Sequence, residues 1–251
     1  MKILNVKKCK NVPNSDKNIF NSMQFSLHIG DEQYAIKDRW TITEWMNILK
    51  WSPEIEENWP RLVSHALGCS LEDAMAIPDD TMYVIMGIMI NQINPQDTEF
   101  KPIINGHELI DFDKITFGQF VDLEVMVSRE PRKTMDTIIS ILYSGADTAN
   151  WYIDDVWPAF EYYLSWRKEV FRQYKSLFEI DDVEEGTVSG SKDQIHAWYD
   201  MIMVLADEKF LNIELVVERP MIEAFNFLAW KKDEAIKQQI ELNKRKKNKI
   251  L

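Results

Sequence analysis

Five acidic doublets come closest to a catalytic or metal-binding pattern in this sequence. Neighbouring carboxylates can hold Mg²⁺ or act as general acid and general base. The doublets are Glu56-Glu57, Asp79-Asp80, Asp154-Asp155, Asp181-Asp182 and Glu184-Glu185. The first three stand where helices are expected to begin, and acids are favoured there by the free amides and the helix dipole. The last two lie in a predicted mobile loop, residues 179–193, where a defined site is hard to hold. We therefore predict neither a metal nor a catalytic residue.

The other side chains with metal or redox chemistry lack useful spacing. No His-x-x-x-His, Cys-x-x-Cys, phosphate-binding glycine loop or Gly-x-Ser-x-Gly motif occurs. The two cysteines lie far apart, which argues against a disulfide framework. The residues concerned are His28, His65, His107, His196, Cys9 and Cys69. We predict no cofactor and no enzymatic activity.

Charge is distributed unevenly along the chain. The 251 residues carry a formal net charge of −12, yet residues 231–251 hold eight Lys/Arg and three Asp/Glu, which leaves −17 on residues 1–230. An acidic body repels nucleic acid. A basic arm at residues 244–251, with Lys244, Arg245, Lys246 and Lys247, has aromatics only before it and none within it, so a base-stacking surface is not indicated. It is either a solvated helix end or an arm that docks on nucleic acid or on an acidic neighbouring subunit.

Any site would have to be positioned by the surrounding secondary structure, and one sequence motif in that part of the chain occurs twice. KDRWTITEWMNI, residues 37–48, matches DFDKITFGQFVDL, residues 111–123, at an offset of 75. Thr41 with Glu44, and Thr116 with Gln119, have the spacing of a capping box at a helix start. Each copy follows a predicted hairpin, with turns at Gly30-Asp31 and Asn105-Gly106. Capping and packing account for every repeated residue, so the repeat is interpreted as architectural and not catalytic.

Three further segments are predicted to be helical. TMYVIMGIMINQI, residues 81–93, is either a core helix or an adaptable groove built on Met82, Met86 and Met89, and the core helix is favoured. Residues 154–178 and 220–240 carry wide apolar stripes. Their aromatic side chains are either core or a contact surface between subunits. The candidate interface residues are Phe160, Tyr163, Phe171, Tyr174, Phe225 and Trp230.

The predicted fold class is α+β and mostly helical. Two hairpin–helix units, whose strands are expected to share one small antiparallel sheet, precede a helical C-terminal half. The predicted division is a leader at 1–24, an α+β domain at 25–128, a helical domain at 129–243 and the basic arm at 244–251. No apolar run approaches the roughly 20 residues of a membrane span, and the N-terminal residues are too polar for a signal peptide. We expect an intracellular product without a membrane partner.

The stretches ITFGQFVDLE and FNFLAWKKDEAIKQQIELNK resemble tail and neck proteins of tailed bacteriophages, especially crAss-like phages of Bacteroides. The resemblance extends loosely over residues 25–245 and contains no catalytic motif. It implies a ring or tail accessory protein of the head–tail connector, made in the host bacterial cytoplasm and localised in the virion. Its partners would be further copies of itself, in a homo-oligomeric ring, and other tail or portal proteins.

A weaker resemblance to phage tail assembly chaperones leaves a second hypothesis open. Such a protein would be an adaptor that stays outside the virion and holds one tail component, and the Met82–Met89 segment would be its binding surface. An enzyme-class hypothesis would instead place a divalent metal near the acidic doublets.

Overall fold

The computed structural model describes residues 5–6, 25–29, 32–35, 37, 39–95, 98–178 and 192–248. These residues form mostly α-helices with a few short antiparallel strands, which confirms the predicted fold class. The Gly30-Asp31 turn, Cys9 and two acidic doublets lie outside the described residues, as does the predicted loop except for its last two residues, which belong to a helix.

The chain divides into two compact units. Unit 1 contains residues 1–101 and 147–158, and unit 2 contains residues 102–146 and 159–251. Each unit is therefore discontinuous in sequence, because the chain leaves unit 1, builds part of unit 2, returns, and leaves again. The boundary predicted between residues 128 and 129 falls in the last turn of a helix inside unit 2.

Unit 1 begins with a three-stranded antiparallel sheet and continues with helices. Asn5 and Val6, from the predicted leader, form the first strand and pair with the second. The elements are β1 (Asn5–Val6), β2 (Phe25–Ile29), β3 (Glu32–Ala35), α1 (Ile42–Leu49), a 3-10 turn (Glu56–Asn58), α2 (Trp59–Leu67), α3 (Leu71–Met75) and α4 (Asp79–Ile93). Its core contains Trp45, whose indole N–H donates to the carbonyl of Ile93 over 2.7 Å.

Unit 2 contains a second hairpin and the remaining helices. Its elements are β4 (Ile103–Ile104), β5 (His107–Glu108), a 3-10 turn (Phe112–Lys114), α5 (Phe117–Arg129), a 3-10 turn (Pro131–Lys133), α6 (Met135–Leu142), α8 (Lys175–Phe178), α9 (Lys192–Leu205), a 3-10 turn (Phe210–Asn212), α10 (Ile213–Val217) and α11 (Met221–Asn248). Its core is aromatic, with Phe117, Phe120, Trp198 and Phe225 in mutual ring contact.

The two hairpins do not share a sheet among the described strands. The first sheet has the order β1-β2-β3 and the second contains β4 and β5 alone, so the expectation of one common sheet is wrong. The predicted Asn105-Gly106 turn is confirmed, since both residues have positive φ, 51° and 84°. Two central residues with positive φ define the type I′ turn that matches the twist of a hairpin. Ile104 and His107 flank that turn as a pair.

The repeated motif forms the same junction in both units. Thr41 and Thr116 each accept a hydrogen bond from the third helical amide, and Glu44 and Gln119 reach back to the cap, so both predicted capping boxes are confirmed. The residue after each cap then bonds to a distant segment. The amide of Ile42 donates to the carbonyl of Trp151 over 2.8 Å, and that of Phe117 donates to the carbonyl of Arg219 over 2.7 Å.

A reciprocal bond closes each junction. The amide of Ile153 donates to the carbonyl of Trp40, and that of Met221 donates to the carbonyl of Ile115, both over 2.9 Å. Ile153 and Met221 are also the first residues of long helices, α7 (Ile153–Gln173) and α11. In each unit, therefore, a capped short helix fixes the start of a long one.

Helix α7 contains a proline that a neighbouring side chain compensates. Pro158 has no N–H, so the carbonyl of Asp154, four residues earlier, loses its helical partner. The hydroxyl of Thr98 donates to that carbonyl instead. Because this orphaned acceptor is satisfied within unit 1, the helix continues through the proline.

Candidate functional site

The largest concentration of exposed apolar side chains described in unit 2 lies on α10, on α11 and on the turn between α9 and α10. Leu211 is 88% exposed and Trp230 is 57% exposed. We call this region the C-terminal apolar surface, and it consists of Phe210, Leu211, Leu215, Phe227 and Trp230. Exposed patches of large apolar residues on folded proteins mark interaction sites.

A groove of about 470 Å³ lies within this surface. Apolar side chains form most of its wall, and two charged residues, Arg219 and Glu223, stand beside them. The apolar lining is Leu205, Leu215, Val216, Ala224 and Phe227. An apolar cleft with a few polar groups is the usual form of a site that receives a side chain of a partner.

The backbone that presents this surface is held by local features of the sequence. Asp207 and Glu208 have φ of 55° and 57°, and this pair of left-handed residues turns the chain after α9. The side-chain amide of Asn212 then donates to the carbonyl of Ala206 over 3.1 Å. These contacts fix the 3-10 turn that carries Phe210 and Leu211, so the apolar side chains are displayed on a defined backbone.

Close packing against α5 fixes the other side of the surface. A Cβ atom on Gly118 would lie 3.0 Å from Cβ of Val217 and 3.1 Å from its carbonyl oxygen. A residue without a side chain is thus needed for α10 to approach the first turn of α5. The bond from Phe117 to Arg219 described above lies at the same place, and it anchors the start of α11.

The second half of α11 extends the surface. Every described side chain from residue 235 to residue 245 is exposed, and Ile236, Ile240 and Leu242 are among them. A 28-residue helix is about 42 Å long at 1.5 Å per residue. About a third of this length therefore presents apolar and basic side chains to its surroundings.

The six aromatic residues predicted to form an interface differ in how far they are buried. Phe160, Tyr163, Tyr174 and Phe225 are buried in the fold, Phe171 is half-buried, and Trp230 is exposed. Tyr174, for example, donates from its hydroxyl to the side-chain oxygen of Asn226 over 2.8 Å and packs edge-on against Phe225. Side chains with so little exposed surface cannot contact a second subunit in this fold, so only Trp230 remains fully available.

Residues 244–248 of the predicted basic arm form the end of α11, and residues 249–251 lie outside the described residues. Lys244 and Arg245 are exposed, and Arg245 lies 3.9 Å from Glu241 one turn earlier, a loose surface pair. Lys246 and Lys247 continue the helix, and their side chains lie outside the described residues. The favoured interpretation of residues 81–93 is confirmed, because Met82, Met86 and Met89 are buried core residues of α4.

A buried charged group in unit 2 was not predicted from the sequence. Glu124 is fully buried, and Arg167 binds it with two parallel bonds of 2.6 and 2.7 Å. The hydroxyl of Tyr163 donates to the same carboxylate over 3.0 Å. Burial and the nearby Glu124 charge raise the pKa of Tyr163 well above its ordinary value. The hydrogen bonds and charge of Glu124 raise the pKa of Arg167 although burial opposes them.

This group is a closed structural network. Both oxygens of Glu124 are occupied by Arg167, and the guanidinium also lies 4.5 Å from the ring centre of Phe171. A signal for it was present in the sequence, since Arg167 interrupts the apolar stripe of α7. Its partner was not identifiable, because Glu124 is a single acid in the middle of α5 and no local pattern distinguishes it from a surface acid. Arg167 and Glu124 lie 43 residues apart in the sequence.

The acidic doublets within the described part of the chain serve as helix starts or ion pairs. Glu56-Glu57, Asp79-Asp80 and Asp154-Asp155 all stand in first helical turns, as predicted. Asp155 pairs with Arg39 over 2.8 Å and with Lys101 over 2.5 Å. Partial burial opposes ionisation, but the bonds from Lys101 and Arg39 lower the pKa of Asp155. Over the described residues, no three His, Cys, Asp or Glu side chains converge as a metal site would require.

Comparisons with protein-family models, with curated proteins and with solved structures found no match. None of the helices in the described ranges combines the length and the apolar composition needed to cross a membrane. The candidate site therefore rests on the geometry of the C-terminal apolar surface.

Residues 210–215 were the functional feature that the sequence analysis missed. Phe210, Leu211 and Leu215 stand in FLNIELVVER, a stretch whose dense apolar content is equally typical of a buried strand or helix. The signal that could have separated these possibilities is the shortness of the stretch, since only eight residues stand between Phe210 and Arg219, and Pro220 then starts a new helix.

Proposed function

We propose that this protein is a structural subunit of a phage virion, at the head–tail neck or in the tail, and that it acts by self-association and contacts with other virion proteins. Two features support the proposal: the resemblance of ITFGQFVDLE and of residues 225–244 in α11 to such proteins, and the C-terminal apolar surface. The virion assignment depends on the resemblance. The mode of action, protein–protein contact, depends on the surface.

The C-terminal apolar surface is the observation that carries the mode of action. Trp and Phe are enriched where subunits meet, because they bury a large area with few rotatable bonds. Trp230 and Phe227 are in ring contact at 5.7 Å between centroids, so they form one stiff anchor. The groove beside them also carries Arg219 and Glu223, which supply one charge of each sign at the rim. This arrangement suits a subunit contact with an apolar centre and a polar edge.

A second candidate function is an assembly chaperone or adaptor that holds one tail component. The methionines of the Met82–Met89 segment cannot form its binding surface, because Met82, Met86 and Met89 are buried. The groove of about 470 Å³ favours this candidate on its own account, since it would accept a single apolar side chain of a partner. The two functions differ in stoichiometry, because the adaptor forms one-to-one complexes and the virion subunit forms a closed oligomer.

The first experiment is native mass spectrometry of the full-length protein over a range of concentrations and salt. We expect one discrete oligomer. The variant Leu211→Ser with Trp230→Ser should shift it to monomer, and Leu71→Ser, an exposed apolar residue of α3 in unit 1, should leave it unchanged. A monomer under all conditions, together with absence of the chain from purified particles of its phage, would overturn the proposal. A stable one-to-one complex with a tail component would favour the adaptor.

A further inference from the structure

A second cavity, in unit 1, has a different chemistry from the C-terminal groove. Its volume is about 220 Å³, and it lies where the 3-10 turn before α2 meets the start of α4. We call it the Trp59 pocket, and its characteristic residues are Glu56, Trp59, Met75, Asp79 and Tyr83. It is therefore formed by two aromatic rings, a flexible apolar side chain and two carboxylates.

The two aromatic rings form a corner. Trp59 and Tyr83 are 4.9 Å apart between ring centres and are inclined at 88°. The indole N–H of Trp59 is already bonded to the carbonyl of Pro53 over 2.8 Å, which holds the ring in place. Two rings at a right angle present an aromatic face and an aromatic edge to whatever occupies the space between them. A cation is attracted to an aromatic face, and Trp gives the strongest attraction.

The carboxylates of the pocket have no cationic partner among the described residues. Glu56 accepts a hydrogen bond from the hydroxyl of Tyr83 over 3.0 Å, and no described ion pair involves either Glu56 or Asp79. The hydrogen bond to Glu56 and the negative charge of both carboxylates raise the pKa of Tyr83. By contrast, the other described first-turn doublet in unit 1 is compensated, since Asp155 binds Arg39 and Lys101. The Trp59 pocket thus combines uncompensated negative charge with aromatic surface.

The chain also carries the complementary group. The end of α11 has Lys244, Arg245, Lys246 and Lys247, and the described side chains there are exposed. Ile236 and Ile240 are exposed earlier on the same helix, and Met75 and Tyr83 are exposed at the pocket. A helix end with cations and apolar side chains therefore matches a pocket with carboxylates and an apolar rim, in both charge and hydrophobicity.

We infer that the Trp59 pocket binds a lysine or arginine side chain, and that the ligand is the basic end of α11, residues 244–247, of a second copy of the chain. This inference rests on the proposed self-association and deepens it. The contact is head-to-tail, because the pocket and the helix end are different surfaces of the subunit. Contacts of this kind close into rings when the rotation between copies permits it.

Binding of an isolated helix end tests the pocket without requiring an oligomer. The probe is a fluorescently labelled peptide with the sequence of residues 241–251, and binding is measured by anisotropy. The receptor is the full-length chain with Lys244, Arg245, Lys246 and Lys247 changed to Gln, so that its own helix end does not compete. We expect saturable binding, and about tenfold or more weaker binding after Glu56→Gln with Asp79→Asn.

The matched control uses the other member of each doublet. Glu57→Gln with Asp80→Asn removes the same two charges from the same two first turns, but neither residue lines the pocket. We expect this control to bind the peptide as the parent does. Equal weakening in both double variants would show that general negative charge attracts the peptide, and it would overturn the inference. Absence of binding to the parent would overturn it as well.

Native mass spectrometry of charge-reversed full-length chains completes the test. Reversal of the pocket alone (Glu56→Lys with Asp79→Lys), or of the helix end alone (residues 244–247 to Glu), should abolish the oligomer. Both reversals in one chain should restore it. An oligomer that persists after each single reversal would contradict the inference but not the proposed function. Pocket-dependent peptide binding by a chain that is always monomeric would keep the cation site in the Trp59 pocket, but it would overturn a second copy as its ligand and contradict the proposed self-association.

Discussion

The two junctions built from the repeated motif share a backbone arrangement, and at two paired positions they differ in what packs against the side chain. Ile42, Trp45 and Ile48 in unit 1 correspond at the offset of 75 to Phe117, Phe120 and Leu123 in unit 2, and all six are buried. The pairs Ile29–Glu32 and Ile104–His107, which flank the two hairpin turns, have the same offset. Capping, register and burial are therefore common to both.

The differences occur at positions 43/118 and 49/124. Thr43 donates from its hydroxyl to the carbonyl of Ala149 over 2.9 Å, whereas Gly118 leaves room for Val217. Leu49 is half-buried, whereas Glu124 is fully buried and bound to Arg167. Backbone connection thus depends on the cap and the apolar positions, while the remaining positions adapt to what packs against each junction. Exchange of residues between the two copies tests this division of roles.

The largest effect is expected from Glu124→Leu, which places the unit 1 residue in unit 2. The substitution leaves Arg167 mostly buried without its carboxylate, and removal of one partner of a buried ion pair lowers stability by about 3–5 kcal/mol. Urea unfolding followed by circular dichroism measures the loss.

The double variant Glu124→Leu with Arg167→Met is the control for that change. Replacement of a whole buried ion pair by apolar residues of similar volume is often neutral or stabilising. We expect stability to return to within about 1 kcal/mol of the parent. A double variant as unstable as the single one would show that Glu124 acts through shape and not through charge pairing.

The second exchange is Gly118→Thr, which again introduces the unit 1 residue. Its Cβ would lie at the limit of contact with Val217, and the added γ atoms would force α10 away from α5. Overpacking of this kind lowers stability by about 1–3 kcal/mol. Thermal unfolding measures it, and the reciprocal Thr43→Gly serves as the comparison. Parent-like stability of Gly118→Thr would mean that α10 can shift freely.

Removal of the two caps should give smaller and similar effects. Thr41→Ala and Thr116→Ala each remove one side-chain acceptor for a helical amide, which lowers stability by about 0.5–2 kcal/mol. Serine at either position keeps the acceptor and should retain most of the stability. Values that differ by more than about 2 kcal/mol between the two alanine variants would contradict the equivalence of the junctions.

The smallest effect concerns Tyr163 of unit 2 at alkaline pH. The pKa of Tyr163 is raised in the folded chain, so its contribution is fully present below the unfolded value near 10 and is lost as the pH rises through the folded value. Above pH 10 only the unfolded chain releases this proton, which favours unfolding by at most about 1.4 kcal/mol per pH unit. Tyr163→Phe should make the fall in stability between pH 10 and 11 shallower than in the parent. An unchanged slope would refute the assignment.

Local signals in the sequence were sufficient for the hairpins, the capping boxes and the helix starts. Each of these depends on residues within three or four positions of one another, as with Thr116 and Gln119. The burial of Met82, Met86 and Met89 also followed from local composition. The hydrogen bonds from the two junctions to Trp151 and Arg219 could not be predicted in this way, because those residues lie about 100 positions away and have no distinctive pattern.

The candidate site was predictable only in part. Trp230 was identified as a contact residue, but the buried and exposed aromatics of α7 and α11 have the same spacing, so burial could not be assigned from periodicity. Exposure of Leu211 depends on the two left-handed residues Asp207 and Glu208, and neither is glycine. The shared sheet was wrongly expected because hairpin signals specify a turn and not the neighbour of its outer strand.

The exposed second half of α11 also affects the susceptibility of the protein to proteases. The side chains of residues 235–245 are exposed, so this end of the helix gains little from packing and unfolds locally more often than the core. We expect trypsin to cleave first the peptide bonds that follow the lysines and the arginine of this end, from Lys237 onward. Cleavage there would remove the basic end and leave both buried cores intact. If the proposed self-association is right, a single cut would then give a chain that folds but no longer assembles.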